Sequence, residues 1–109
     1  MSTSITHYIV YGWKLPYDFA NVHDDKFLPY IEGHKDIEFG MIYDGMNGDY
    51  IVFGKIIELP DKYSDNDFVD IDLSIMYIHN TTRLTNEYKK IFGKNPVIPP
   101  KLFSFIHYS

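Results

Sequence analysis

Five histidines, His7, His23, His34, His79 and His107, are the residues in this chain best suited to acid–base or metal chemistry near neutral pH. None falls into HExxH or another metal-ligand spacing. His7 and His107 lie in segments with strand character at the two ends, so pairing of those segments would make them neighbours. A two-histidine metal site would then need a nearby carboxylate. His23-Asp24-Asp25 sets an imidazole beside two carboxylates, but adjacent residues on a helix point about 100° apart and do not converge. Asp65, Asp67, Asp70 and Asp72 form the densest acidic cluster. The stretch lacks the central glycine and closing glutamate of a calcium loop. Asp70 and Asp72 share one face of an alternating segment, about 7 Å apart, where they would hold Mg²⁺ only with a third ligand from elsewhere. A solvated strand face accounts for them more simply. There is no GxSxG and no Ser or Thr beside a histidine with an acidic partner. With no cysteine there is no thiolate nucleophile, thiolate metal site or disulfide. Gly45-Met46-Asn47-Gly48 joins two apolar runs and opens no helix, so it is turn chemistry and not a phosphate loop. The residue types favour a protein without catalytic activity, metal or cofactor, although groups gathered from distant positions are invisible at this level.

The elements that would position these groups are readable. Ile5–Lys14 is a first strand, rich in β-branched and aromatic residues. Asp18 is placed to cap a short helix reaching Leu28, with Pro29 stopping or kinking it. Residues 38–58, EFGMIYDGMNGDYIVFGKIIE, read as a hairpin with strands near Ile37–Asp44 and Asp49–Leu59. Setting Asp44 opposite Asp49 places Gly40 against Phe53 and Phe39 against Gly54, each ring covering a bare glycine. In that register Ile42, Ile51 and Phe53 share a face that is still apolar, between the polar pairs Glu38/Lys55 and Asp44/Asp49. Either the second helix covers that face or it meets a partner, and helix cover or scattered exposed apolar residues is the more ordinary outcome. Phe68–Ile78 alternates strictly and reads as a strand with one wet face. A second helix runs from Thr81 or Thr82 to Phe92, with Leu84, Tyr88 and Ile91 on one stripe and Gly93 ending it. Leu102–Tyr108 is a last strand. The expectation is one α+β domain over residues 1–109, in the order β-α-β-β-β-α-β, with about five mostly antiparallel strands and two short helices.

Composition narrows the partners. The net charge is −5, from 15 acidic and 10 basic residues, and Arg83 is the single arginine. No Lys/Arg cluster is present to displace counterions from phosphate, which argues against direct nucleic-acid binding. No apolar run is long enough for a bilayer span, and the N-terminus has no signal-peptide pattern, so a cytoplasmic protein is expected. Fourteen isoleucines and ten tyrosines against one alanine and no glutamine indicate an A/T-rich genome.

HYIVYGWKLPYDF and IYDGMNGDYIVFGKIIE together resemble short uncharacterised accessory proteins of large-genome bacteriophages, over a little more than a quarter of the chain. The resemblance carries no activity. It implies a phage-encoded protein in the host cytoplasm that inhibits or modulates a host protein, for instance a defence protein, by stoichiometric binding. Ile42, Asp44, Asp49, Tyr50, Ile51 and Phe53 are the expected contact surface. The alternative is a protein that sequesters a small nucleotide-type signal, with Tyr11 and Trp13 as aromatic walls, although core packing suits Trp13 better. A metal-dependent hydrolase on Asp70, Asp72 and a histidine ranks third. An unpaired terminal strand would also offer an edge for a homodimer.

Overall fold

A computed structural model describes residues 5–33, 38–59 and 81–108. It shows an α+β arrangement of four antiparallel strands and two helices. The strands are β1 (Ile5–Leu15), β2 (Gly40–Tyr43), β3 (Ile51–Glu58) and β4 (Lys101–Tyr108), in the spatial order β2-β3-β1-β4. The helices are α1 (Leu28–Glu32) and α2 (Thr81–Phe92). The expected strand Phe68–Ile78 and the cluster Asp65, Asp67, Asp70 and Asp72 lie outside the described residues, as do His34 and His79. No helix among the described residues is long and apolar enough to cross a membrane.

The second helix follows its sequence pattern. Leu84, Tyr88 and Ile91 are its buried residues, and Gly93 ends it with φ 74° and its N–H on the Lys89 carbonyl. The segment before β2 differs from expectation. Instead of one helix from Asp18 to Leu28, two 3₁₀ turns at Tyr17–Phe19 and Asp25–Phe27 lead into α1. Asp24, not Asp18, caps, accepting from the Lys26 N–H at 3.1 Å. Pro29 stands in the first turn of α1, where a missing N–H costs nothing, so it starts a helix where a stop or kink was expected.

The hairpin is real but shifted by one residue. Gly40 pairs with Gly54, Met41 with Phe53, Ile42 with Val52 and Tyr43 with Ile51. The cause lies in the loop. The Asp44 carboxylate accepts from the N–H groups of Asn47 (3.0 Å), Asp49 (3.1 Å) and Met46 (3.2 Å). The Asp44 N–H donates to the Tyr50 carbonyl at 3.0 Å, leaving five residues in the connection instead of four. Because side chains alternate with period two, this slip moves Ile51 and Phe53 to the opposite face.

That face is the core. Phe53 is fully buried among Trp13, Tyr30, Phe39, Tyr88 and Phe92, with ring centroids 5.7–6.4 Å away. Tyr30 donates from its hydroxyl to Glu87 Oε1 and so ties α1 to α2. Burial, followed by that carboxylate, pushes the Tyr30 phenol well above its ordinary range.

The opposite face is concave. Gly40, Gly54 and Gly12 register side by side across β2, β3 and β1, and Lys101 of β4 continues the row. A Cβ on Gly12 would sit 2.1 Å from the Phe53 carbonyl oxygen, and one on Gly54 2.3 Å from the Tyr11 carbonyl oxygen. Only glycine permits this approach, and such a line lets a sheet bend. The bend is large. By register Tyr50 lies beyond the Leu15 end of β1 while Phe105 lies beside Tyr8, roughly 26 Å apart along an extended strand. Yet their ring centroids are 5.7 Å apart, and the Tyr50 hydroxyl lies 2.8 Å from His107 Nδ1.

Candidate functional site

The concave face carries a cavity of about 630 Å³. Val52 lies buried at its base. Phe103 and Phe105 project from alternate positions of β4, both half-buried, and Tyr50 leans across from the head of β3. Lys14 and Lys101, both exposed, are its charged lining residues among those described. The rings form a continuous wall. Tyr8 stacks on Phe105 at 5.5 Å, Phe105 meets Phe103 at 6.3 Å, and Tyr50 meets Phe105 edge-on. Aromatic and apolar walls with a few polar groups, in a volume between about 300 and 1,000 Å³, are the usual make-up of a small-molecule pocket.

The His107–Tyr50 hydrogen bond closes one end of this wall, and Asp44 stands behind it. Asp44 is 4% exposed. The Asn47 N–H above all, then those of Asp49 and Met46 and the nearby His107, hold its carboxyl below the ordinary carboxylate value against the opposing effect of burial. Burial pushes the His107 imidazole below its ordinary value, while Asp44 pulls it upward. Tyr50 is raised, first by burial and then by the Asp44 and Asp49 carboxylates.

The expected hairpin contact surface does not form. Ile51 and Phe53 are 0% exposed in the core, and Asp44 is turned inward onto its own loop. Ile42 and Tyr50 lie half-buried, leaving Asp49 as the exposed member of the six. Of the two expected ligand walls, Trp13 borders the cavity and Tyr11 does not. Trp13 is 2% exposed, its indole N–H donating to the Ile98 carbonyl at 2.8 Å, and the Tyr11 hydroxyl bonds Thr81 Oγ1 at 2.8 Å. Although Trp13 also borders the cavity, both rings pack on the helix-covered side. Alternation in β1 could have shown this, since Tyr11 and Trp13 share parity with each other and not with Tyr8, Val10 and Lys14.

The terminal strands do pair, but His7 registers with Ile106 and His107 with Thr6, so the two imidazoles leave the sheet on opposite faces. No group of three or more metal-ligating side chains occurs among the described residues. Among the cavity residues not foreseen in the sequence are Phe103, Phe105, Lys14 and Lys101. For the three on β4 the signal was alternation, its odd positions carrying Lys101, Phe103, Phe105 and His107; Lys14 shares parity with Tyr8 and Val10 on β1. No protein-family description, curated protein or solved structure matches the chain.

Proposed function

We propose that this chain is a small binding protein that holds a flat-ringed small molecule against the aromatic wall of its concave sheet face. The observation that carries this reading is the cavity of about 630 Å³ walled by Tyr50, Phe103 and Phe105. Its volume can hold a single ring system, and Phe103 and Phe105 stand on a strand, which fixes side-chain positions better than a loop does. The ring wall also agrees with the expectation of a nucleotide-type ligand, with Trp13 bordering the cavity and Tyr11 outside it. The test is thermal unfolding against a panel of nucleosides and nucleotides, with Phe105→Ala as control. A ligand at a hundred times its Kd stabilises by about 2.7 kcal/mol, or about 10 °C for a domain of this size. Absence of any shift across the panel, or equal shifts for Phe105→Ala, would remove the reading.

The second reading is stoichiometric inhibition of a host protein. It is favoured by exposed apolar residues on the Tyr11 face of β1 and β4, where Ile5, Leu102, Ile106 and Tyr108 are each 43–58% exposed; Leu102 and Ile106 also border the cavity. Ile5→Asp with Tyr108→Asp, a cross-strand pair outside the cavity, should then abolish capture of a host protein from lysate while leaving the unfolding midpoint in place. Undiminished capture by that double variant counts against it.

A further inference from the structure

The cavity lies in a chain of net charge −5, yet the charged side chains among its described lining residues are both cationic, Lys14 and Lys101. Among the described residues neither lysine makes an ion pair, whereas Arg83 is paired with Glu38 and Lys90 with Glu87. Register brings the two together. Lys101 of β4 sits opposite Gly12 of β1, and Lys14 lies two residues further along β1 on the same face. With strands about 4.8 Å apart and about 3.4 Å of rise per residue, their Cα atoms lie within roughly 8 Å. Gly12 puts no side chain between them. Two flexible stems of this length can bring both ammonium groups onto one anion.

We infer that Lys14 and Lys101 form the anion-holding end of this cavity, and that its ligand is a phosphate monoester of a flat ring, of the nucleoside monophosphate class. This rests on the reading of the cavity as a ring-binding site. A phosphate monoester carries about −1.5 to −2 charge at pH 7, which two lysines match. Lysine serves as a point charge for a terminal phosphate, where arginine would select for planar, bidentate geometry. The order of groups along β4 fits the same ligand. From Lys101, Phe103 and Phe105 follow on the same face at about 7 Å intervals. That sequence places the charge at one end and the stacking surface within the reach of a sugar.

The experiment compares AMP with adenosine, and GMP with guanosine, by calorimetric titration of the wild type, Lys14→Gln, Lys101→Gln and the double variant. Both lysines are exposed strand residues, and unchanged unfolding midpoints verify that the variants are folded. At least one monophosphate should bind about tenfold or more tightly than its nucleoside, the range of a charge-assisted contact. The double variant should lose that preference while keeping nucleoside binding. Added salt should weaken the monophosphate and leave the nucleoside unaffected. Equal binding of nucleoside and monophosphate overturns the inference and leaves the ring-binding reading standing. A phosphate preference that survives in the double variant overturns the assignment to these lysines. Failure of all four compounds to bind the wild type overturns both.

Discussion

The glycine row across the sheet gives the sharpest test of the fold. Gly12→Ala puts a methyl carbon 2.1 Å from the Phe53 carbonyl oxygen and 2.7 Å from the Gly54 Cα. Ordinary van der Waals contact begins near 3.4 Å, so β1 and β3 must part by over an ångström at the centre of their ladder. Overpacking costs about 1–3 kcal/mol where side chains can yield. Here the obstacle is backbone with no rotamer to turn, and parting the strands weakens ladder hydrogen bonds worth about 1 kcal/mol each. The expected loss is about 3 kcal/mol or more, a fall in Tm of about 12 °C. Gly54→Ala should match it, since its Cβ would lie 2.3 Å from the Tyr11 carbonyl oxygen. Gly40→Ala is the internal control. Its Cβ meets the Ile56 Cδ1 at 3.3 Å, the far end of a side chain that can rotate, so a change below about 1 kcal/mol is expected. Thermal and urea unfolding followed by circular dichroism measures all three. A Gly12→Ala protein as stable as Gly40→Ala would refute the close crossing of β1 and β3, and with it the origin of the concave face.

Three further outcomes follow from the same packing. Trp13→Phe removes the indole bond to the Ile98 carbonyl and part of the stack on Phe53; a loss of about 1–2 kcal/mol is expected, and the wild type's single tryptophan should emit at the blue wavelengths of a buried indole. Because burial holds His107 below its ordinary 6.5, the unfolded chain takes up that proton first. Its contribution to stability is therefore complete above about pH 7 and lost as pH falls through 6.5 toward the lower native value; His107→Gln should flatten this part of the stability–pH curve, and an unchanged slope would contradict the burial. Phe53→Asp should leave the chain unfolded in circular dichroism, since it sets an unpaired carboxylate among five rings; a folded Phe53→Asp protein would mean that Phe53 is not in the core.

What could be read from the sequence was what local periodicity determines. Helix α2 is set by Leu84, Tyr88 and Ile91 at i, i+4 and i+7 and by Gly93 beyond them, all within one segment. Strands β1 and β4 were recognisable to within a residue for the same reason. The hairpin's existence was legible and its register was not. Two registers compete between Phe39 and Lys55, and the aromatic–glycine pairing that favoured one of them is a weak cross-strand term of about 0.2–1 kcal/mol. Pro29 misled because the same missing N–H ends a helix in its interior and is harmless in its first turn. The cavity was hidden because it depends on curvature. Tyr50 and His107 are 57 residues apart in sequence, and only a bend at the glycine row brings them into contact.

Core burial and turn chemistry decide between the two registers. In the four-residue loop Phe53 and Ile51 would face away from Met41. In the observed one they join it, and complete burial of two such side chains is worth about 3–6 kcal/mol. Asp44 acts in the same direction, because its carboxylate accepts three loop N–H groups only when five residues separate it from Tyr50. Local turn chemistry and core burial thus agree, the condition for a single register. The slip also aligns Gly40 with Gly54, so that with Gly12 the three glycines form one line instead of being scattered opposite rings. In the alternative register Gly40 would face Phe53 and the row would be broken at β2. The loop around Asp44 therefore decides more than its own conformation: it selects which side chains enter the core and brings all three glycines onto the row where the sheet bends.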